Sequence, residues 1–283
     1  MTARLFAWFQ YLLPQHALSR LVGWLGRLEQ PWARTALVRG FLALFRQVDL
    51  EEAAEPDPLA YASFNAFFTR ALAPGTRPMP ADPQALACPV DGRVSQCAGL
   101  VDGTLLQAKG FRYRLDRLLG APAPPALAGG SFATMYLAPY DYHRIHAPAD
   151  CRLVEMRYLP GALFSVNGAT VSAVPRLFAR NERVVCLFET AFGPMAMVLV
   201  GALNVGSIAT TWAGEVAPGA DRQAHAWRYP ESGPGAVRLA RGEELGRFNF
   251  GSTVIVVLPE GGPRFADTIR AERRVRLGET LAA

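Results

Sequence analysis

Between Thr190 and Gly214 the chain runs for 25 residues without a charged side chain. As one helix that length could cross a bilayer, since a span takes about 20 apolar residues. Its interior argues otherwise. Gly193-Pro194, Gly201, Asn204 and Gly206 interrupt it, and the residues between include Val198, Val200, Val205 and Ile208, β-branched side chains that suit a packed, pleated surface. The stretch therefore reads as buried strands joined by turns. Strands apolar on both faces demand a large sheet inside a large body. The 283 residues, 51% hydrophobic and 19% charged, can build one, and they exclude disorder and a small disulfide scaffold.

Other strands are expected over 93–98, 104–108, 131–138, 151–159, 183–190 and 252–258, where β-branched and aromatic residues cluster between turn formers. A short helix around 113–119 and a Pro/Ala/Gly-rich loop over 120–130 interrupt them. A further helix starts near Asp57-Pro58 and runs to Arg70, and Pro74, Pro78, Pro80, Pro83 and Pro89 mark an irregular surface connector. No Gly-rich phosphate loop, internal repeat or regular β-α alternation is present, which excludes a doubly wound sheet. The fold class is α+β, with a β-rich catalytic domain over 57–283. Cys88, Cys97, Cys151 and Cys186 show neither a C-x-x-C pair nor tight spacing, and read as buried, inert thiols of a reducing compartment.

Residues 1–56 are a different kind of segment. Leu5, Trp8, Phe9, Leu12 and Leu13 fall at helical spacing before Pro14. Leu18, Leu21, Val22, Leu25 and Leu28 form a second stripe. After Pro31, a good first helical residue, Leu37, Phe41, Leu44, Phe45 and Val48 form a third that should face inward. Of the 29 basic residues 28 are arginine. Residues 1–48 hold six of them against Glu29 alone, while the rest of the chain balances 23 basic against 23 acidic residues. The net +5 thus belongs to three amphipathic helices that also carry Trp8, Trp24 and Trp32. Apolar faces, interfacial tryptophan and arginine describe helices lying in an anionic membrane surface; a helical cap on the body or a dimer contact is the plainer alternative. Alternation with bulky aliphatics argues against nucleic acid, and no small-x-small site makes the segment a secretory signal.

Three places could carry chemistry. Tyr142-His143-Arg144-Ile145-His146-Ala147-Pro148 crowds two of the four histidines into what reads as an irregular bend; as a metal pair it lacks further ligands. Pro89-Val90-Asp91-Gly92 puts an acid at the mouth of a strand, where a turn aspartate is the ordinary reading. Phe250-Gly251-Ser252-Thr253 opens into the apolar run Val254-Ile255-Val256-Val257. This is not a nucleophile elbow, which needs a glycine two residues either side of the serine. A serine hydroxyl can instead attack the carbonyl before it, and glycine there leaves room and backbone freedom. That attack needs a base, commonly a histidine oriented by a carboxylate.

The ordered set of motifs resembles the phosphatidylserine decarboxylases of the bacterial, membrane-associated type. It comprises Ser63-Phe64-Asn65-Ala66-Phe67-Phe68-Thr69-Arg70, Pro89-Val90-Asp91-Gly92, Leu106-Gln107-Ala108-Lys109-Gly110, Tyr142-His143-Arg144-Ile145-His146, Phe164-Ser165-Val166-Asn167 and Leu177 through Arg183. Val200-Gly201-Ala202, Val205-Gly206-Ser207-Ile208 and Gly251-Ser252-Thr253 complete it. Phe250 stands where the group usually has leucine. The resemblance implies self-cleavage between Gly251 and Ser252, giving a large chain 1–251 and a small chain 252–283, with Ser252 converted through an ester and dehydroalanine to a pyruvoyl group. It implies that Asp91 orients His146 as base on Ser252, and that the pyruvoyl ketone forms a Schiff base with the serine amine of phosphatidylserine and takes up electrons as CO2 leaves. His143 is the candidate for protonation or substrate placement, and Tyr142 and Asn167 for headgroup contacts. Also implied are a peripheral location on the cytoplasmic face of the inner membrane and a homodimer. No metal is expected, and no pyridoxal phosphate: Lys109, the one lysine, would have to anchor it, and no phosphate-binding loop accompanies it. A serine hydrolase using Ser252, His146 and Asp91 uncut, and a non-enzymatic membrane-bound β-domain, are the competing readings.

Overall fold

The computed structural model describes residues 2–203, 207–216, 223–249 and 252–283, with side chains from residue 7 onward. Its centre is an antiparallel sheet whose strands run, edge to edge, His225–Arg228, Cys151–Leu159, Arg183–Thr190, Gly193–Val200, Ser252–Leu258, Ser131–Leu137, Gly92–Gly99 and Arg274–Val275; Arg238–Leu239 also pairs with the start of Cys151–Leu159. The Ser252–Leu258 strand lies in the middle and is buried at all seven positions. Its neighbour Gly193–Val200 comes from the uncharged stretch, which forms strands here, so the expectation of buried strands over a spanning helix holds for its described part. No helix among the described residues is long and apolar enough to cross a membrane.

Side chains alternate between two cores. Val254, Val256 and Leu258 face one, together with Val94, Met135, Leu199 and the second sheet. Ile255 and Val257 face the other, with Phe132, Val198, Leu118 and Phe178. The second sheet orders Gly214–Val216, Ile208–Thr210, Glu244–Phe248 and Arg144–His146. Its last strand corrects the irregular bend expected around the two histidines: Ile145 is fully buried, and that anchor plus pairing to Glu244–Phe248 outweighs the nearby prolines. Three further expectations shift. Tyr113, opposite Leu105 in a hairpin, belongs to the strand Arg112–Arg114, so the helix begins at Leu115. The helix expected from Asp57 is only Phe64–Phe68, where the Ser63 hydroxyl accepts from Ala66 N at 3.2 Å and supplies the N-cap. The third amphipathic helix ends at Leu44, before Phe45.

The amino-terminal helices α1 (Thr2–Leu12), α2 (Gln15–Gly26) and α3 (Pro31–Leu44) pack on the body, α1 and α2 with an inverted pattern and α3 with Leu37 and Phe41 inward as expected, as is Val48 just beyond it. The buried positions of α1 and α2 are small or polar, Ala7, Gln10, Gln15, Ser19, Gly23 and Gly26, whereas α3 buries Ala33 and the apolar Val38. Gln10 Oε1 accepts from Ser165 N and Gln15 Oε1 from Leu163 N, both at 2.7 Å. The bulky residues point out, with Trp8 71%, Leu12 76% and Trp32 75% exposed. Leu44, expected inward, is 74% exposed, because the chain leaves the helix there, while Val38 and Phe41 carry the packing onto Phe64, Phe67 and Phe68.

Candidate active site

Ser252 opens the central strand and pairs with Leu137. One residue along, Thr253, Tyr136 and Arg93 stand in a row across three strands. Asp91, just before Gly92, therefore lies about two strand spacings from Ser252, roughly 10 Å. Gly92 permits this approach: a Cβ there would sit 2.5 Å from the Tyr136 carbonyl oxygen. His146 reaches the same end of the sheet through its backbone N–H, which donates to the Pro89 carbonyl at 3.0 Å. The sheet end thus collects Asp91, His146, His143 and Ser252.

Ser252 is fully buried, and its Oγ has no hydrogen-bond partner among the described residues. A buried hydroxyl left without a partner costs about 1–3 kcal/mol; Thr253 Oγ1, next in the strand, is buried and unpartnered as well, and Ser252 is the one of the two that directly follows Gly251. Gly251 and Phe250 lie outside the described residues. The chain just before them is anchored: Asn249 N donates to the Ser207 carbonyl at 3.0 Å, Asn249 Nδ2 to Ser207 Oγ at 2.5 Å, and Asn65 Nδ2 to Asn249 Oδ1 at 3.2 Å. Arg27, the residue that follows α2, donates to the same Ser207 Oγ at 3.2 Å. Two motifs therefore meet on Asn249, three residues before Ser252, and the helical segment joins them through Ser207.

The two histidines sit in different surroundings. His143 is fully buried, stacked on Phe68 with ring centroids 4.2 Å apart, and neither ring nitrogen makes a well-directed hydrogen bond. Burial, with the Arg70 guanidinium nearby, pushes its pKa down to about 3 against partial relief from the Pro139 and Ala138 carbonyls. It is a neutral imidazole at any ordinary pH. His146 Nδ1 is 2.8 Å from the Gly242 carbonyl, which can only accept, so Nδ1 carries the proton and Nε2 accepts from the Tyr142 hydroxyl at 3.1 Å. Burial also lowers the His146 pKa, offset in part by the Gly242 carbonyl.

Asp91 does not bond His146 in this arrangement. Its Oδ1 accepts from Arg77 Nε at 3.1 Å and Leu277 N at 2.8 Å, and its Oδ2 from Arg77 Nη2 at 2.6 Å; Arg77 also binds Glu52 at 2.6 Å. Asp91 and Tyr142 line one wall of a polar cleft of about 420 Å³ with Arg70, Arg77, Asp141 and Arg274. Arg77 was invisible to pattern reasoning, since it lies in the proline-rich connector where no periodicity marks a buried side chain.

A second cavity, of about 480 Å³, opens on the other side of the 138–143 turn. Phe41, Leu44, Phe45, Phe64 and Phe68 make its apolar walls, and Ser165 and Asn167 supply polar groups. Asn167 also caps the Gly168–Val171 helix, its Oδ1 accepting from Thr170 N at 2.9 Å. Of the two headgroup candidates, Asn167 lines this apolar cavity and Tyr142 the polar cleft. Among the described residues no group of three or more His, Cys, Asp or Glu could hold a metal ion. Lys109 is exposed and backbone-strained at φ 57°. The four cysteines are free, with burial pushing Cys88 and Cys151 up to about 12 and Cys97 to about 11.

Comparison with known proteins shows the family. The family model described as phosphatidylserine decarboxylase matches residues 64–283, and one described as PSD matches residues 5–46. Proteins named phosphatidylserine decarboxylase proenzyme align over nearly the whole chain. The one from Shewanella baltica (strain OS155) is 51% identical, covering 96% of this chain and 94% of its own. That from Methylococcus capsulatus is 50% identical over 99% and 96%, and that from Polaromonas naphthalenivorans 49% over 100% and 97%. A family model over residues 64–283 and relatives about half identical over nearly the whole chain place this chain in the phosphatidylserine decarboxylase family.

Proposed function

We propose that this enzyme, which decarboxylates phosphatidylserine to phosphatidylethanolamine in phospholipid synthesis, makes its own pyruvoyl group from Ser252. The observation that carries this is the buried, unpartnered Ser252 Oγ at the head of the central strand, behind a chain pinned at Asn249. In the reading, Ser252 Oγ attacks the Gly251 carbonyl, its proton passes to His146, and the Gly251–Ser252 peptide becomes an ester. Elimination and hydrolysis then leave chains 1–251 and 252–283. Asp91 would orient His146 once the imidazole leaves Tyr142 and the carboxylate leaves Arg77; Asp91 and His146 converge on one sheet end, which supports such an exchange.

Ser252, first in its strand and sealed from solvent, is a suitable position for a pyruvoyl group. When present there, that group supplies the electron sink that no side chain offers when CO2 leaves an amino acid. His143, kept neutral by burial, can hold or pass a proton at its ring nitrogens without competing as a cation. Phe68, whose ring covers His143, and Pro139 both line the apolar cavity, so a lipid lodged there would approach His143 from its apolar end. Asn167 lines the same cavity and is the headgroup contact of this reading; Tyr142 acts from the other side of the turn, on His146.

Residues 1–56 are read as the docking segment and 57–283 as the catalytic domain. The family is membrane-associated. The outward Trp8, Leu12, Trp24 and Trp32, with polar residues facing the body, support α1–α3 as the docking device. The cytoplasmic face of the inner membrane and a homodimer are part of the same reading and rest on the family resemblance. Gel analysis of Ser252→Ala tests the core proposal. A single uncut, inactive chain is expected; cleavage at the wild-type position would overturn it.

A further inference from the structure

The sequence places the net charge in residues 1–48 and leaves the body neutral, but the fold redistributes the body's charges. One surface cleft of about 890 Å³ lies between the helix Leu115–Leu119, with the turn after it, and the helix Leu177–Arg180. Arg114, Arg117, Arg176, Arg180 and Arg183 line it against a single acid, Asp116. That acid is already held by Arg114 at 2.6 Å and by Ala123 N at 3.0 Å. Arg183 is buried and structural, donating to the carbonyls of Leu118, Asn181 and Arg117. Arg117 and Arg176 are exposed and make no ion pair among the described residues. Arg176 is also held at φ 56°, a left-handed conformation that costs about 1–2 kcal/mol for a side chain of this kind.

The cleft adjoins the amino-terminal helices. Arg180 donates to the Tyr11 hydroxyl at 2.9 Å and lies over the Tyr11 ring at 5.4 Å. Tyr11 belongs to α1, whose Trp8, Phe9 and Leu12 point to solvent. An apolar patch and an arginine groove therefore share one edge. The remaining lining is Gly120, Ala121, Pro122 and Ala179, small residues that leave the guanidinium groups accessible and offer no aromatic face for stacking bases.

We infer that this groove binds the phosphate groups of anionic phospholipids and acts as a second membrane contact, orienting the body once α1–α3 have inserted. Planar guanidinium groups suit bidentate phosphate recognition, and continuity with the outward apolar face of α1 puts the groove at headgroup level. The inference rests on the docking role of α1–α3, and the test separates the two.

The full chain is sedimented with vesicles of phosphatidylcholine alone and with vesicles containing one part phosphatidylglycerol to two parts phosphatidylcholine, at low salt. Phosphatidylglycerol is not the substrate, so the reading is free of active-site binding. Each arginine near an anionic surface is worth about a fivefold change in binding. The triple variant Arg114→Gln/Arg117→Gln/Arg176→Gln should lose about 100-fold of the preference for anionic vesicles, with binding to neutral vesicles and melting temperature unchanged. The matching triple Lys variant should keep most of the preference, and the single Arg117→Gln should lose about fivefold. A Gln triple variant that keeps the wild-type preference overturns the groove, as does wild-type protein that binds both vesicles equally. Wild-type protein that binds neither overturns the docking role itself.

Discussion

Cleavage before Ser252 would leave residues 252–283 attached only by noncovalent contacts, and the strand at their head sets how tightly they stay. Val254, Ile255, Val256, Val257 and Leu258 are all fully buried, between strands that pair with them on both sides. At about 1.5–3 kcal/mol for each of the five buried side chains, their burial contributes about 8–15 kcal/mol, less the part the unfolded chain already buries. Leu281, also fully buried, adds to it. An association of about 8–12 kcal/mol corresponds to a dissociation constant between about 1 μM and 1 nM, so the small chain should co-elute with the large one on native gel filtration. Ile255→Ala removes a side chain from the second core and should cost about 2–5 kcal/mol. That lowers the urea concentration at which the small chain is stripped, while cleavage at Ser252 continues. Wild-type small chain that elutes alone at micromolar concentration without denaturant would refute the reasoning. So would an Ile255→Ala protein as resistant to urea as wild type.

The remaining predictions concern the site and the helices. His143 is neutral in the fold and protonates near its ordinary value of 6.5 when unfolded, with the folded pKa at about 3. The unfolded chain therefore binds the extra proton between those values, and stability should fall by about 1.4 kcal/mol per pH unit as pH drops from about 6.5 toward 3. His143→Gln should flatten that slope in urea titrations, and an unchanged slope would count against the burial account. Asp91→Asn should slow self-cleavage by misorienting the base. Arg77→Gln separates this from simple loss of the ion pair: it should destabilise by about 3–5 kcal/mol through the stranded carboxylates yet cleave faster than Asp91→Asn. Equal cleavage rates in the two would assign Asp91 a structural role only. Trp8→Ser/Leu12→Ser should weaken sedimentation with neutral vesicles and leave the melting temperature unchanged, since both residues face solvent; a large fall in melting temperature would mean that they pack.

Strands such as Cys151–Leu159 and Arg183–Thr190 were readable because eight or nine residues rich in apolar side chains, bounded by turn formers, have few alternatives. The strand Arg144–His146 was not, since three residues carry no period and only pairing with Glu244–Phe248 defines them. Amphipathicity in α1 and α2 was legible but not its direction: Gln10 and Gln15 satisfy backbone N–H groups of the body, so the polar side is the buried side, whereas α3 packs its apolar side as expected. At the site, the motifs located Ser252, His146, His143 and Asp91, while the bonds each makes depend on residues far away in sequence, Arg77, Gly242 and Phe68. The neutral balance of the body likewise hid the arginine cleft, because composition sums charges that folding separates.

The central claim is that Ser252 is consumed to make the pyruvoyl group, and the intact mass of the purified protein tests it most directly. Two chains are expected, divided between Gly251 and Ser252. The smaller should be blocked to amino-terminal sequencing, lighter by one ammonia than a fragment beginning with serine, and heavier by a pair of hydrogens after borohydride reduction. A single uncut chain, or a small chain that begins with an unmodified serine and ignores borohydride, would contradict it.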